Sequence, residues 1–247
     1  MPRARSSQAP ALSDRRVSES ERRLSRLSGA AGIVGPILFL LVAIIHGTLR
    51  SDHDLVSMPI SALAAGRTGW VQDANFIATG CLMIAFSVGL HAGLVRRRAG
   101  IAGPAFIALS GLGLILAGVS PATDAAGAFR SRPLHTVGAF LAFPGAALGM
   151  LFLTPRLKDD GATRGLVSYT GVADVAVAVL FALTGALAVP ARGPLHGYWG
   201  GAQLLILAFW FPCIIALAIR LARAPGSGAV TPSPTTTQGG RDRRGAP

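Results

Sequence analysis

The segment Ala30–Leu49, with the sequence AAGIVGPILFLLVAIIHGTL, contains no lysine, arginine, aspartate or glutamate. A helix of about 20 residues rises about 30 Å, which is the thickness of the hydrocarbon core of a bilayer. An unpaired backbone amide in lipid costs several kcal/mol, so a chain crossing that core pairs its own amides by forming a helix. The segment therefore predicts a membrane-spanning helix.

Five more segments share this length and this apolar character. They are Phe76–Val95, Ile101–Val119, Leu134–Thr154, Leu166–Val189 and Gly201–Ala222. Over the whole chain only 14% of the 247 residues are charged, whereas a soluble domain carries about 25%. We therefore predict an all-α membrane protein with a six-helix transmembrane bundle at 30–222. Within it, Cys81 and Cys213 are predicted to be small buried side chains.

The basic residues predict how the bundle lies in the membrane. Of the 23 lysines and arginines, 18 fall in the two terminal segments and in the loops after the second and fourth spans. Because short cytoplasmic segments are enriched in these residues, both termini are expected in the cytoplasm of a plasma-membrane protein. The net charge of +12 is spread over loops and tails rather than over one folded face, so it does not indicate nucleic-acid binding.

The two tails differ in composition. Segment 1–29 is basic, and Ser18 and Glu21 have the spacing of a helix-capping box. This segment is predicted either as a short helix lying on anionic lipid headgroups or as an unstructured cytoplasmic tail that only fixes the topology. Segment 223–247 is rich in Pro, Gly, Ser and Thr, and is predicted to be a disordered cytoplasmic tail.

A short motif recurs where two of the spans begin. The sequence GIVGP at 32–36 matches GIAGP at 100–104, which is the spacing of one helical hairpin. This recurrence predicts three tandem hairpins in parallel orientation. Because the chain contains 31 glycines and 16 prolines, a chance match is the alternative explanation.

Asp174 is the one acidic residue deep inside a predicted span. It lies nine residues into the fifth span, about 13 Å from the end of that helix. A carboxylate at this depth costs about 2.5–3.5 kcal/mol on insertion scales, so it is expected to face the interior of the bundle. The functional interpretation is a proton, cation or substrate contact. The structural interpretation is a protonated or hydrogen-bonded side chain that fixes helix packing.

Histidines and aspartates gather at the predicted outer face. A zinc site for a metal-dependent hydrolase is one hypothesis, and its ligands would be His46, His135, His196 and Asp124. Alternatives are a proton relay between Asp124 and His135, or solvated side chains that pair with arginine, as Asp54 is expected to pair with Arg50. No phosphate-binding glycine-rich loop, nucleophile elbow or H-E-x-x-H motif occurs, and no cofactor is expected.

Three groups of short motifs carry a resemblance. The motifs are MPISAL at 58–63 before Gly69-Trp70, NF at 75–76 with TG at 79–80, and LAGVSP at 116–121 before Asp124 and His135. With them, the chain from about Gly32 to Arg220 resembles the bacterial domain-of-unknown-function family 998 (DUF998) of polytopic membrane proteins. Ala62 and Ser120 stand where members often carry an acidic residue and a phenylalanine. The resemblance implies a six- or seven-helix bundle and brings no established activity.

These observations give one leading hypothesis and two rivals. The leading hypothesis is a non-enzymatic membrane protein that binds or moves a small molecule or lipid. Its candidate ligand or proton contacts are Ser61, Asn75, Asp124, His135 and Asp174. The rivals are the metal-dependent hydrolase, and a scaffold or accessory subunit that acts through its basic tails.

Overall fold

A computed structural model describes residues 12–92, 100–120, 130, 132–157, 164–189 and 192–223. In this part of the chain six helices are long and apolar enough to cross a membrane, as the sequence predicts. The six are α1 Leu12–Leu49, α2 Trp70–Leu90, α3 Ala102–Val119, α4 Pro133–Leu157, α5 Val167–Leu183 and α6 Trp199–Arg223. A π-helical turn, Thr184–Ala188, continues α5. The protein is therefore an all-α, multi-pass membrane protein.

The six helices form a closed ring. Each helix packs against the next one along the chain, and α6 returns to pack against α1. Large side chains such as Phe86, Met83 and Trp210 fill the interior and are almost completely buried. The outward faces carry exposed apolar side chains, among them Leu41 and Val175. An apolar exterior over an apolar interior is the pattern of a bundle whose solvent is lipid.

Glycines bring neighbouring helices into close contact. A Cβ added to Gly111 of α3 would lie 2.6 Å from the carbonyl oxygen of Gly80 in α2. Similarly, a Cβ added to Gly138 of α4 would lie 2.7 Å from the carbonyl oxygen of Gly113 in α3. Since lipid tails are as apolar as the side chains, such close backbone packing is what holds membrane helices together.

The Gly111→Ala variant is expected to weaken this packing. Its added methyl group forces α2 and α3 apart, which should lower the free energy of unfolding by about 1–3 kcal/mol. The matched control is Gly171→Ala, because a Cβ at Gly171 makes only ordinary contact at 3.9 Å. The control should be neutral or slightly stabilising in the helix. Unfolding both variants in mixed micelles measures the difference, and equal stabilities would contradict the packing argument.

Two helices begin more than two residues before their predicted spans. Helix α2 begins at Trp70 rather than at Phe76, because the polar residues Gln72 and Asn75 interrupt the apolar window yet are buried in the structure. Helix α1 begins at Leu12, so the basic segment is helical from there and continuous with the span. The predicted end of the second span, Val95, lies outside the described residues.

Helix α1 is longer than a bilayer crossing requires. Its 38 residues correspond to about 57 Å. Ser28 and Gly29 are buried against the bundle, where Gly29 lies against Ala222 of α6. The preceding turns, which carry Arg22 and Arg26, are largely exposed. They project beyond the bundle at what we call the basic end.

The expectation for the cysteines was half right. Cys213 is buried in the ring, whereas Cys81 is exposed on the outward face of α2. Sequence hydropathy places both in spans but does not say which face of the helix each one occupies, because lipid-facing and buried positions are equally apolar.

Candidate functional site

A crevice lies between α4, α5 and α6, about halfway along the bundle. Its lining atoms leave about 170 Å³ of empty space, including the open mouth, but no position inside admits a sphere the size of a water molecule. The lining residues are Ala146, Ala147, Met150, Ala173, Asp174, Val177, Trp210 and Cys213. Three alanines stand where larger side chains would close the gap. The crevice therefore follows from small residues on the facing surfaces of α4 and α5.

Asp174 is the acidic group of this crevice. It shares the inward face of α5 with Thr170, Ala173 and Val177, at the spacing of successive helical turns. The residue is 9% exposed, and no side chain of the described residues forms a hydrogen bond or ion pair with its carboxylate. The carboxylate consequently bears the cost of burial in the membrane without a compensating partner in the part of the chain that the structure describes.

Trp210 of α6 supplies an unpaired donor to the same crevice. The side chain is 1% exposed, and its Nε1–H has no hydrogen-bond partner among the described residues. Phe211 and Phe143 fix the indole, with ring centroids 5.2 Å and 6.3 Å away. Nε1–H of Trp210 is thus a buried donor without a partner in this part of the chain, which is rare in folded proteins, in a side chain that lines the same crevice as Asp174.

Two contacts hold α5 against α4, one on each side of the crevice. Toward the basic end, the Thr154 hydroxyl donates to Thr170 Oγ1 at 3.2 Å. Toward the other end, the ring of Phe181 packs on Phe140 and Phe143, with centroids 5.6 Å and 5.3 Å apart. Helix α5 is also the least buried of the spans, since only 28% of its most apolar stretch is buried, against 44–50% in the other spans.

The loop between α1 and α2, residues 50–69, covers the end of the bundle opposite the basic end, and we call it the cap. Its short 3-10 helix, Ile60–Ala64, is buried against α1 and α2. The Ile60 amide donates to Gln203 Oε1 of α6 at 2.8 Å, and His46 Nε2 of α1 lies 3.0 Å from Thr68 Oγ1. The cap is therefore anchored to several helices of the ring.

Arg50 is the central side chain of the cap. Its Nε and Nη2 donate to the two carboxylate oxygens of Asp52 at 2.9 and 2.6 Å. Its Nη1 donates to the carbonyl oxygens of Leu63 and Ala65 at 3.1 and 2.6 Å. The hydrogen bonds from Arg50 lower the pKa of Asp52 to about 2. Asp54, the partner expected from sequence, instead accepts hydrogen bonds from the amides of Val56 and Ser57.

The cap should lose protection as the pH falls from 7 to 5. Burial, together with the positive charge of Arg50, lowers the pKa of His53 below its ordinary value of 6.5. The folded cap therefore favours neutral His53, and this contribution is present above pH 6.5 and is lost below it. Asp52 changes nothing in this range, because its stabilising ionised form persists down to about pH 4.

Hydrogen exchange measures this effect through the protection factors of the Ile60–Ala65 amides. The other charged groups around His53 are Asp52, Asp54 and His46, so the control is His53→Gln, which should remove the part of the decline between pH 7 and 5 that His53 contributes. An unchanged decline in that variant would show that His53 is not the responsible group.

The three histidines of the zinc hypothesis are held in separate places. Nδ1–H of His135, at the start of α4, donates to the carbonyl oxygens of Ala117 and Ser120 at 3.1 and 3.2 Å. Nδ1–H of His196, before α6, donates to the Ala188 carbonyl oxygen at 3.0 Å. His46 contacts the cap. Across the described ranges no three His, Cys, Asp or Glu side chains are placed to hold a metal ion. Asp124 lies outside those ranges, so the proposed relay to His135 stays a prediction.

The remaining candidates lie in and beneath the cap. Ser61 is half-buried in the 3-10 helix of the cap. Asn75 is buried on α2, where its Nδ2 donates to the Phe39 carbonyl oxygen of α1 at 3.1 Å. This hydrogen bond ties α1 to α2, so the structure gives Asn75 a packing contact. Neither residue lines the crevice at Asp174.

Aromatic rings fill the interior between the cap end and the crevice. Successive ring centroids are 5.2–6.1 Å apart along the series His135, Phe76, Phe39, Phe211 and Trp210. His135 and Asp174 therefore do not share one open cavity. Sequence reasoning missed Trp210, although it is the only one of the three tryptophans that lies in the middle of a predicted span.

One of three comparisons with known proteins found a match. The family described as "Protein of unknown function (DUF998)" matches residues 33–220, which is most of the chain and all six spans in whole or in part. No match was found among curated proteins or among solved structures. The resemblance read from the short motifs is confirmed, and the chain belongs to the DUF998 family.

Proposed function

We propose that this protein binds a small molecule or lipid in the crevice at Asp174, or carries it across the membrane, and that it is not an enzyme. The observation that carries the proposal is the carboxylate of Asp174, which is buried in the middle of a span and has no hydrogen-bond or ion-pair partner among the described residues. Such groups stay buried at a cost unless a partner satisfies them. A ligand that enters the crevice supplies that partner.

Access from the lipid favours a ligand that is dissolved in the membrane. The crevice is partly open at the surface of the bundle, at mid-membrane depth. Beside the opening, α5 presents the exposed side chains of Val172 and Val175. A ligand dissolved in the bilayer can therefore enter the crevice laterally, without passing the cap.

The orientation belongs to the same proposal. The basic end, with both termini, lies in the cytoplasm, and the cap faces outward from the plasma membrane of a bacterium. The α1 turns with Arg22, Arg23 and Arg26 then reach anionic lipid headgroups at the inner surface. Reporter fusions at both termini and within the cap test this, and a cytoplasmic cap would contradict it.

Carbodiimide labelling tests the binding site. Dicyclohexylcarbodiimide is lipid-soluble and modifies protonated carboxyl groups. A ligand in the crevice should protect Asp174 in native membranes, and washing in detergent should raise labelling at least several-fold, as measured by peptide mass spectrometry. Adding back the total lipid extract of the same membranes should restore protection.

Two variants serve as controls for the labelling experiment. Ala147→Leu fills the crevice and should keep labelling low in every state. Ser110→Ala removes a buried hydroxyl that lies outside the crevice and has no partner among the described residues. This variant should behave as the wild type. Equal labelling of Asp174 in membranes, in detergent and after lipid addition would refute the proposed function.

A further inference from the structure

We propose that helix α5 is a gate, which swings its basic end away from α4 and α6 to admit the ligand and pivots on its opposite end. This inference rests on the proposed function and adds how the ligand reaches Asp174. It follows from the closed state of the crevice, from the absence of close glycine contacts along α5 and from the unequal attachment of the two ends of this helix.

The crevice is closed in this structure. Its lining atoms leave no position inside that admits a sphere the size of a water molecule. Protein interiors are close-packed, so room for a guest arises only when a packed element is displaced. A ligand therefore reaches the Asp174 carboxylate through the crevice only after α4, α5 or α6 has moved.

Of these three helices, α5 is the one without close glycine contacts among the described residues. A Cβ added to Gly138 of α4 would lie 2.7 Å from a carbonyl oxygen of α3, and one added to Gly29 of α1 would lie 2.8 Å from the Ala218 carbonyl oxygen of α6. A Cβ on Gly171 of α5 would meet nothing nearer than 3.9 Å, and one on Gly185 would meet nothing within 4 Å. Close backbone packing thus fixes α4 and α6 to their other neighbours, while α5 is free of it.

The polar contacts at the basic end of α5 are weak. The Thr154 hydroxyl of α4 donates to Thr170 Oγ1 at 3.2 Å, and the Tyr169 hydroxyl donates to Cys213 Sγ of α6. Sulfur is a weak hydrogen-bond acceptor. The hydroxyl of Thr170 donates to the Val167 carbonyl oxygen of its own helix at 3.1 Å, so it stays paired when α5 moves away. Separation at this end therefore breaks few contacts.

The opposite end of α5 is attached more firmly. The ring of Phe181 packs on two phenylalanine rings of α4. Beyond it, the π-helical turn Thr184–Ala188 is joined to the segment that leads into α6, because the Leu195 amide donates to the Leu187 carbonyl oxygen at 3.1 Å. Nδ1–H of His196 donates to the last carbonyl oxygen of the turn at 3.0 Å. This turn is the pivot, and irregular turns of this kind recur at functional sites in helices.

A small rotation at the pivot is enough to open the crevice. Asp174 lies ten residues before Thr184, which corresponds to about 15 Å along the helix. A rotation of about 10° would displace Asp174 by about 2.6 Å and Thr170 by more, since displacement grows with distance from the pivot. The first of these displacements is close to the diameter of a water molecule.

A disulfide that locks the basic end of α5 tests the gate. The full-length protein carries Cys81→Ser and Cys213→Ser, together with Thr154→Cys and Thr170→Cys, which we call the gate pair. The two native hydroxyl oxygens are 3.2 Å apart, and side chains this close allow a disulfide. In detergent, forming the disulfide should slow dicyclohexylcarbodiimide labelling of Asp174 at least tenfold, and reducing it should restore the rate.

A second disulfide is the matched control. Leu187→Cys with Leu195→Cys, the pivot pair, links two residues whose backbones are already hydrogen-bonded at 3.1 Å. This disulfide should leave the labelling rate unchanged within about twofold, because the pivot stays in place. Thr170→Val needs no cross-link and removes the contact with Thr154, so it should speed labelling several-fold. It tests the gate if a double variant fails to fold.

The outcomes separate this inference from the proposed function. If the gate disulfide leaves the labelling rate of Asp174 unchanged, α5 does not act as a gate, whereas protection by the lipid extract would still support the binding site. If both disulfides slow labelling equally, α5 does not pivot on the turn at Thr184–Ala188 and the inference is wrong. If the lipid extract gives no protection but the gate disulfide slows labelling, the gate stands and the proposed function falls.

Discussion

Arg50→Ala is expected to detach the cap and to lower the free energy of unfolding by about 2–4 kcal/mol. The guanidinium satisfies the carbonyl oxygens of Leu63 and Ala65, which close a buried turn. Leaving each buried acceptor without its donor costs about 1–3 kcal/mol. Hydrogen exchange should show the loss of protection confined to the cap, while unfolding in mixed micelles reports the total.

The matched control for this prediction is Asp52→Asn. Asp52 is the exposed member of the ion pair, with 68% of its side chain accessible. An exposed pair contributes little to stability, so this variant should remain close to the wild type. If Asp52→Asn is as destabilised as Arg50→Ala, the ion pair holds the cap in place and the two carbonyl contacts do not.

Asp174→Leu is expected to make the protein more stable and to abolish ligand binding. A leucine removes a buried carboxylate that has no partner in the described protein, so the free energy of unfolding should rise by about 1–3 kcal/mol. Residues that serve binding are often kept at a cost in stability. Melting in detergent, without and with the total lipid extract of the native membranes, measures stability and binding on the same sample.

This variant also decides between the two interpretations of Asp174. A carboxyl group that fixes helix packing would make its replacement destabilising, whatever happens to binding. The control is Thr170→Val, which removes the hydroxyl that accepts from Thr154 and thus a real contact between α4 and α5. That variant should be less stable and should still bind. A destabilised Asp174→Leu protein would leave the binding proposal without its physical basis.

The sequence was a reliable guide wherever the deciding quantity is local. Crossing a bilayer requires about 20 apolar residues in a row, and this is a property of each segment alone. Six helices result, and α3 differs from its predicted span by a single residue. The error at α2 has the same origin. Gln72 and Asn75 are polar, as loop residues usually are, but the structure places them in the helix and buries them.

The candidate site was predicted only in part. Asp174 stood out because a carboxylate in a span is costly wherever the helix points. Trp210 and the three crevice alanines did not, because an apolar residue in a span can face lipid or protein equally well. Likewise, His46, His135 and His196 were grouped by the end of the bundle they share, while the structure attaches each one to a different neighbour.

From its sequence alone, this protein is determined to be a six-helix membrane protein of the DUF998 family with one acidic residue deep in a span. The tertiary structure decided which helices meet around that residue, which indole lies beside it and which aspartate Arg50 holds. These contacts depend on how each helix is rotated about its axis and on the closure of the ring between α1 and α6. Because lipid is as apolar as the interior of the bundle, hydrophobicity does not select which face of an apolar helix turns inward. Only the packing of the whole bundle fixes that rotation.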